Sequence, residues 1–132
     1  MIAVDTSALM AVLLGETQAD ACSEALEAED RLLISAGTVA EALIVAGRRG
    51  LGDEMARLLD EMGFEIVSIT PASARRVALA YERWGKGMDA AALNFGDCFA
   101  YEVAKEYGCP LLYVGEDFAR TDLDCALETR AA

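Results

Sequence analysis

The chain opens on Ile2-Ala3-Val4-Asp5-Thr6-Ser7, three apolar residues that run straight into a carboxylate and two hydroxyls. Three more acids stand where a strand hands over to a helix or turn. They are Glu41, Asp97 and Asp117, the last with Glu116 beside it and Asp122 five residues on. Hard oxygen donors without His or Cys select Mg2+ or Mn2+. Mg2+ keeps several waters and binds substrate phosphate as well, so the chemistry suggested is metal-assisted phosphodiester hydrolysis. A water would be oriented and activated there, and a carboxylate that does not ligate the ion could take its proton.

Each residue also has an ordinary reading. Asp5 can cap the helix that follows it. Thr38-x-x-Glu41 and Asn94-x-x-Asp97 both fit capping boxes, and Asp117 can cap a short helix. Ser7 reads as a hydroxyl bonded to Asp5 or to a water of the site, or as a helix-start hydroxyl bonded to backbone. The readings part on whether the acids meet. Caps that all face one rim would crowd like charges, which is costly unless protons or cations relieve it.

The elements that must position these residues follow from pattern. Residues 2–5 read as a short buried strand. A helix over 7–14 is stopped by Gly15, and 17–28 form a helix with an acidic outer face. Residues 31–35 make a second strand, followed by a helix opened by Gly37 and Thr38 and ending near Arg48-Arg49-Gly50. A helix over 52–62 leads to a third strand at 64–69. Pro71 starts a helix to Trp84, residues 85–93 read as a flexible loop, and a helix runs over 95–107. Pro110 precedes a strand at 111–114, with a short turn at Asp117-Phe118 and a last edge strand at 124–127.

Alternating strands and helices predict one domain over residues 1–132, a three-layer α/β/α fold with a parallel sheet of four to five strands. In such a sheet the strands end at one edge, where ligands bind and the following helices begin. Four acids far apart in sequence can therefore share one rim.

Composition narrows the chemistry. A 132-residue chain that is 55% hydrophobic can bury an ordered core. Its net charge of −12 argues against plain electrostatic binding of nucleic acid unless a cation or a basic partner neutralises the acids. Residues 1–30 hold seven acids and no base. The absence of His removes Ser–His and Cys–His catalysis, and four cysteines without a CxxC give no structural zinc site. Met1 leads directly into the first strand, and no apolar run reaches the roughly 18 residues of a membrane span. A cytoplasmic location with no membrane association is expected.

Four segments in order resemble the motifs of PIN-domain ribonucleases, and more closely the VapC toxins of bacterial type II toxin–antitoxin pairs. They are Val4-Asp5-Thr6-Ser7-Ala8-Leu9, Ser35-Ala36-Gly37-Thr38-Val39-Ala40-Glu41, Ala92-Leu93-Asn94-Phe95-Gly96-Asp97-Cys98-Phe99-Ala100-Tyr101, and Leu111-Leu112-Tyr113-Val114-Gly115-Glu116-Asp117-Phe118. The resemblance covers essentially the whole chain. It implies a PIN fold, Mg2+- or Mn2+-dependent endoribonuclease activity, inhibition by a cognate VapB-type antitoxin, and a homodimer. Mapped by motif, Asp5 and Asp97 would be the core metal ligands, Glu41 a ligand or water-positioning acid, and Asp117 the fourth acid. The family often places two residues between its glycine and its Asp-Phe, whereas only Glu116 lies between Gly115 and Asp117 here. Glu116, Asp117 or Asp122 could fill that role. A catalytically silent PIN-fold binding module is the alternative, and the presence of all the acids argues against it.

For holding RNA the chain offers Arg83, Trp84 and Lys86, which with the loop at 85–93 precede the Asp97 motif. If that loop lies near the rim, these residues can grip phosphate and stack a base. An acidic, partly apolar surface also suits a basic amphipathic antitoxin peptide.

Overall fold

A computed structural model describes residues 1–131, and the side chains of residues 1–128. Its centre is β1 (Ile2–Val4), buried along its whole length. Beside it lie β2 (Leu32–Ser35) and β4 (Leu111–Leu112), and β3 (Glu65–Val67) closes the far edge, giving the order β3-β2-β1-β4 with all pairs parallel. Ala3 lies opposite both Leu33 and Leu111, and Val4 opposite Leu112.

Side chains alternate across the sheet and so build two cores. Ile2, Val4, Leu32 and Ile34 face α1 (Thr6–Leu14), α2 (Ala19–Ala28), α3 (Ala36–Arg48) and α4 (Gly52–Glu61), packing with Leu9, Cys22, Leu26, Ala42 and Met55. Ala3, Leu33 and Leu111 face α5 (Pro71–Trp84) and α6 (Phe95–Tyr107), packing with Val77, Leu93, Cys98 and Val103. Two faces, each covered by helices, make the expected three layers.

Four local expectations change. The strand at 64–69 shrinks to Glu65–Val67, an edge strand whose Ile66 faces solvent. The strand at 111–114 stops at Leu112, because the Val114 N–H leaves the ladder and donates to Ser7 Oγ at 3.0 Å. The last edge strand at 124–127 is a single bridge of Cys125 to Leu111, after which α7 (Ala126–Ala131) begins. The loop at 85–93 is tied, not free: Leu93 N–H donates to Trp84 O at 3.0 Å and Lys86 N–H to Leu93 O at 2.8 Å. Arg120 Nη1 also donates to Ala90 O at 3.1 Å.

No strand separates α5 from α6, so α5 does not follow the pattern of its neighbours. It runs antiparallel to α6. Arg76, early in α5, meets Glu102 and Glu106, while Trp84 at its end meets Tyr101 nearer the start of α6. The tied loop therefore delivers the chain to the start of α6. Among the described residues, no helix is long and apolar enough to cross a membrane.

Candidate active site

Asp5 follows the last residue of β1 and caps α1 while remaining buried, at 3% exposure. Its Oδ2 accepts the Ser7 N–H at 3.0 Å and the Ser7 hydroxyl at 2.7 Å. Because Ser7 Oγ also accepts the Val114 N–H, one hydroxyl pins the acid to the end of β4. Oδ1 of Asp5 is buried and has no hydrogen-bond partner. The capping reading of Asp5 thus holds for Oδ2, while Oδ1 is left without a partner among the described residues. Burial pushes its carboxyl up to about 6, against the Ser7 bonds and with help from the charge of Glu41.

Asp97 sits in the first turn of α6, 7% exposed, where Asn94 and Asp97 exchange backbone and side-chain bonds in the predicted capping box. Asp97 Oδ2 accepts the Asn94 N–H at 3.0 Å. Burial first, then the charges of Asp5, Asp117 and Glu41, push its carboxyl up to about 7, while the Asn94 bond opposes them. The four rim acids therefore form one electrostatic group.

Glu41 arrives by a route the sequence misassigned. α3 begins at Ala36 with Ser35 as its cap, the Ser35 hydroxyl accepting the Gly37 N–H at 3.1 Å. The Thr38–Glu41 capping box does not form, since Ser35 already caps the helix three residues earlier. Glu41 lies deeper in α3, and its Oε1 accepts the Thr6 hydroxyl at 2.7 Å. A Cβ built on Gly96 would overlap Glu41 Oε2, so α3 meets α6 through this carboxylate. Neither Thr6 nor Gly96 was expected at the site. The available signals were a second hydroxyl directly after Asp5 and a glycine inside the first turn of a helix, where it is unfavourable.

Of the three contenders for the fourth position, the structure brings one to the group. Asp117 is exposed, makes no capping bond, and precedes a short 3-10 turn (Phe118–Arg120) anchored by buried Phe118 against Tyr113. Glu116 lies on another side, around a cavity with Gln18, Tyr113 and Cys125. Asp122 accepts the Tyr101 hydroxyl at 2.7 Å and pairs with Lys105 at 3.0 Å. Burial works to raise the Asp122 carboxyl, but those two partners outweigh it and hold it below the usual range.

Arg83 and Lys86 are exposed, and among the described residues neither is ion-paired. Trp84 is engaged already: its indole N–H donates to Tyr101 at 3.0 Å and Arg83 lies over its ring at 4.6 Å.

Among the described residues, no three acids or cysteines close tightly enough to enclose a cation by themselves. The donors nevertheless fit a hard divalent ion. Every one is a carboxylate, Asp5 Oδ1 is buried without a partner, and Mg2+ takes only one or two carboxylates, leaving other positions to water and phosphate.

A family model for the PIN domain matches residues 2–123. Ribonuclease VapC30 of Mycobacterium tuberculosis is 40% identical over 123 residues, 91% of this chain and 94% of its own length. The chain belongs to the PIN domain family, within its VapC ribonucleases. The crystal structure of Mycobacterium tuberculosis VapC20, a sarcin–ricin loop cleaving toxin, matches with a TM-score of 0.75 at 17% identity, covering 93% of this chain and 96% of that one. A toxin–antitoxin complex from Klebsiella pneumoniae matches with a TM-score of 0.68 at 21% identity, covering 92% and 93%. At these identities the two structures speak for the fold.

Proposed function

We propose that this chain is a single-domain, metal-dependent endoribonuclease, the toxin of a VapBC-type pair. The observation that carries the reading is the buried Oδ1 of Asp5, unpartnered among the described residues and set among three other acids to which no described cation is paired. Asp5 and Asp97 would hold Mg2+ or Mn2+. The chemistry such an ion supplies is neutralisation of phosphate charge and acidification of water.

The chain's own residues do the rest. Ser7 holds Asp5 so that only Oδ1 is free to face the site. Asn94 fixes Asp97 through the capping box. Glu41, held by Thr6, takes the proton of the attacking water as its oxygen bonds to phosphorus and the RNA chain's oxygen leaves. Asp117, exposed at the edge of the group, completes the charge there. Arg83 and Lys86 grip RNA phosphates, and Trp84 serves by presenting Arg83.

The partners follow from the same reading. A net charge of −12 and membership of the VapC ribonucleases support a basic, amphipathic VapB-type antitoxin segment as inhibitor. A homodimer is the further expectation. An exposed apolar groove along Ile69, Tyr81, Phe95 and Phe99, with Phe95 70% exposed, is a surface either partner could cover.

The test is cleavage of structured RNAs by the antitoxin-free protein with Mg2+ or Mn2+, beside Asp5→Asn and Asp97→Asn. Wild type cleaves and both variants are inert. Equal cleavage by all three proteins would mean a contaminating nuclease and end this reading.

A further inference from the structure

We infer that Thr6 and Gly96 form a clamp that positions Glu41 in the rim group. The inference rests on the nuclease reading above and adds two residues to it. Thr6 is 7% exposed, and its hydroxyl reaches across from the start of α1 to donate to Glu41 Oε1 at 2.7 Å. On the other side the Gly96 backbone leaves the space that Glu41 Oε2 occupies. One residue attracts the carboxylate and the other makes room for it.

Gly96 separates positioning from folding. Glycine is a poor residue inside a helix, so its place in α6 calls for a reason. A methyl group there would meet the far end of a flexible glutamate, which can swing away at little cost to the fold. Gly96→Ala should therefore displace Glu41 while leaving the protein folded. Gly47, within α3, has nothing within 4 Å of the same built position and is the matched control. The clamp also makes Thr6 and Ser7 a divided pair: adjacent hydroxyls hold different acids, Thr6 on Glu41 and Ser7 on Asp5.

The experiment compares Thr6→Val, Thr6→Ser, Gly96→Ala and Gly47→Ala with wild type and with Glu41→Gln. Thr6→Val and Gly96→Ala should each lower kcat for RNA cleavage about 10- to 100-fold with KM unchanged, the size seen when a residue orienting a site ligand is lost. Thr6→Ser keeps the hydroxyl and should stay within about threefold, as should Gly47→Ala, if orientation by the hydroxyl is what matters. Adding Thr6→Val to Glu41→Gln should slow the enzyme no further. In ion-free protein, the 13C carboxyl resonance of Glu41, assigned by its loss in Glu41→Gln, should move in Thr6→Val and Gly96→Ala but hold its place in Gly47→Ala.

Wild-type rates and an unmoved resonance in Thr6→Val and Gly96→Ala, beside inactive Asp5→Asn and Asp97→Asn, would overturn the clamp alone. Full activity in Asp5→Asn and Asp97→Asn would overturn the nuclease reading and the clamp with it.

Discussion

Helix α6 carries two buried acids with opposite surroundings. Glu102, 5% exposed, faces α5 and has the Arg76 guanidinium 3.0 Å from Oε2, with Glu106 on the same cation. Asp97, 7% exposed, has Asp5, Asp117 and Glu41 as its charged neighbours and, among the described residues, no paired cation. Burial pushes both carboxyls up. Burial therefore does not separate a structural acid from one proposed to act in the site. The missing counterion does: a fold that needed only packing would pair Asp97 as it pairs Glu102, or replace it.

The sharpest way to break this comparison is to neutralise each acid in turn. Asp97→Asn should lower RNA cleavage by at least about 10^3-fold, some 4 kcal/mol of transition-state stabilisation. Glu102→Gln should leave the rate within about threefold, since Glu102 touches nothing of the rim group. If both variants lost activity alike, the contrast drawn from counterions would be wrong.

Stability against pH is the next largest effect. The carboxyls of Asp5 and Asp97 stand at about 6 and about 7 in the folded protein against an ordinary 3.8. Well below pH 3.8 both are protonated in either state. As pH rises further, the unfolded chain releases protons that the folded chain keeps, so ion-free protein should lose stability up to about pH 7. The loss reads out as a lower Tm of ion-free protein at about pH 7 than at about pH 4. At pH 8, Mg2+ or Mn2+ should recover much of it by binding only the folded form. Asp5→Asn should flatten the pH dependence and abolish the response to the ion. A Tm that rose over this window in ion-free wild type would show the acids ionised and compensated.

A smaller contrast separates the contenders for the fourth acid. Asp117→Asn should slow cleavage about tenfold, roughly 1.4 kcal/mol. Asp122→Asn should leave the rate unchanged and cost about 1 kcal/mol of stability, because Asp122 ties Tyr101 to Lys105. Kinetics and thermal melts of the two variants read this directly. A slow Asp122→Asn with an active Asp117→Asn would exchange their roles.

The placement of Asp5 after a strand and of Asp97 in a helix's first turn was legible in sequence because strand end and helix start are local signals. The layer order followed from alternation, and Ile2, Ala3 and Val4 do divide between the two faces. What was not legible depends on elements meeting. Thr38-x-x-Glu41 matches a capping box letter by letter, yet Ser35 takes the cap and frees Glu41. The strand at 111–114 reads as apolar to its end, but Ser7, over a hundred residues away, claims the Val114 N–H. Gly96 looks like a flaw in a helix until α3 is laid against it. The loop at 85–93 is rich in Gly and Ala and still closes on itself, because Leu93 N–H donates to Trp84 O and Leu93 O accepts the Lys86 N–H.

The smallest effect sharpens the comparison from its neutral side. Thr38 is fully buried in α3, and its hydroxyl, like Oδ1 of Asp5, has no hydrogen-bond partner among the described residues. If any unpaired buried polar atom marked function, Thr38 would rank with Asp5. The counterion distinction separates them, because a hydroxyl is uncharged and needs no cation to neutralise it. Its isolation is then only a cost to the fold, and Val has the same shape without the polar atom. Thr38→Val should raise stability by about 1 kcal/mol, a few degrees in Tm, and leave RNA cleavage within twofold or so. A variant that melted higher but no longer cleaved RNA would place Thr38 inside the site, and charge would no longer be what tells the two kinds of buried group apart.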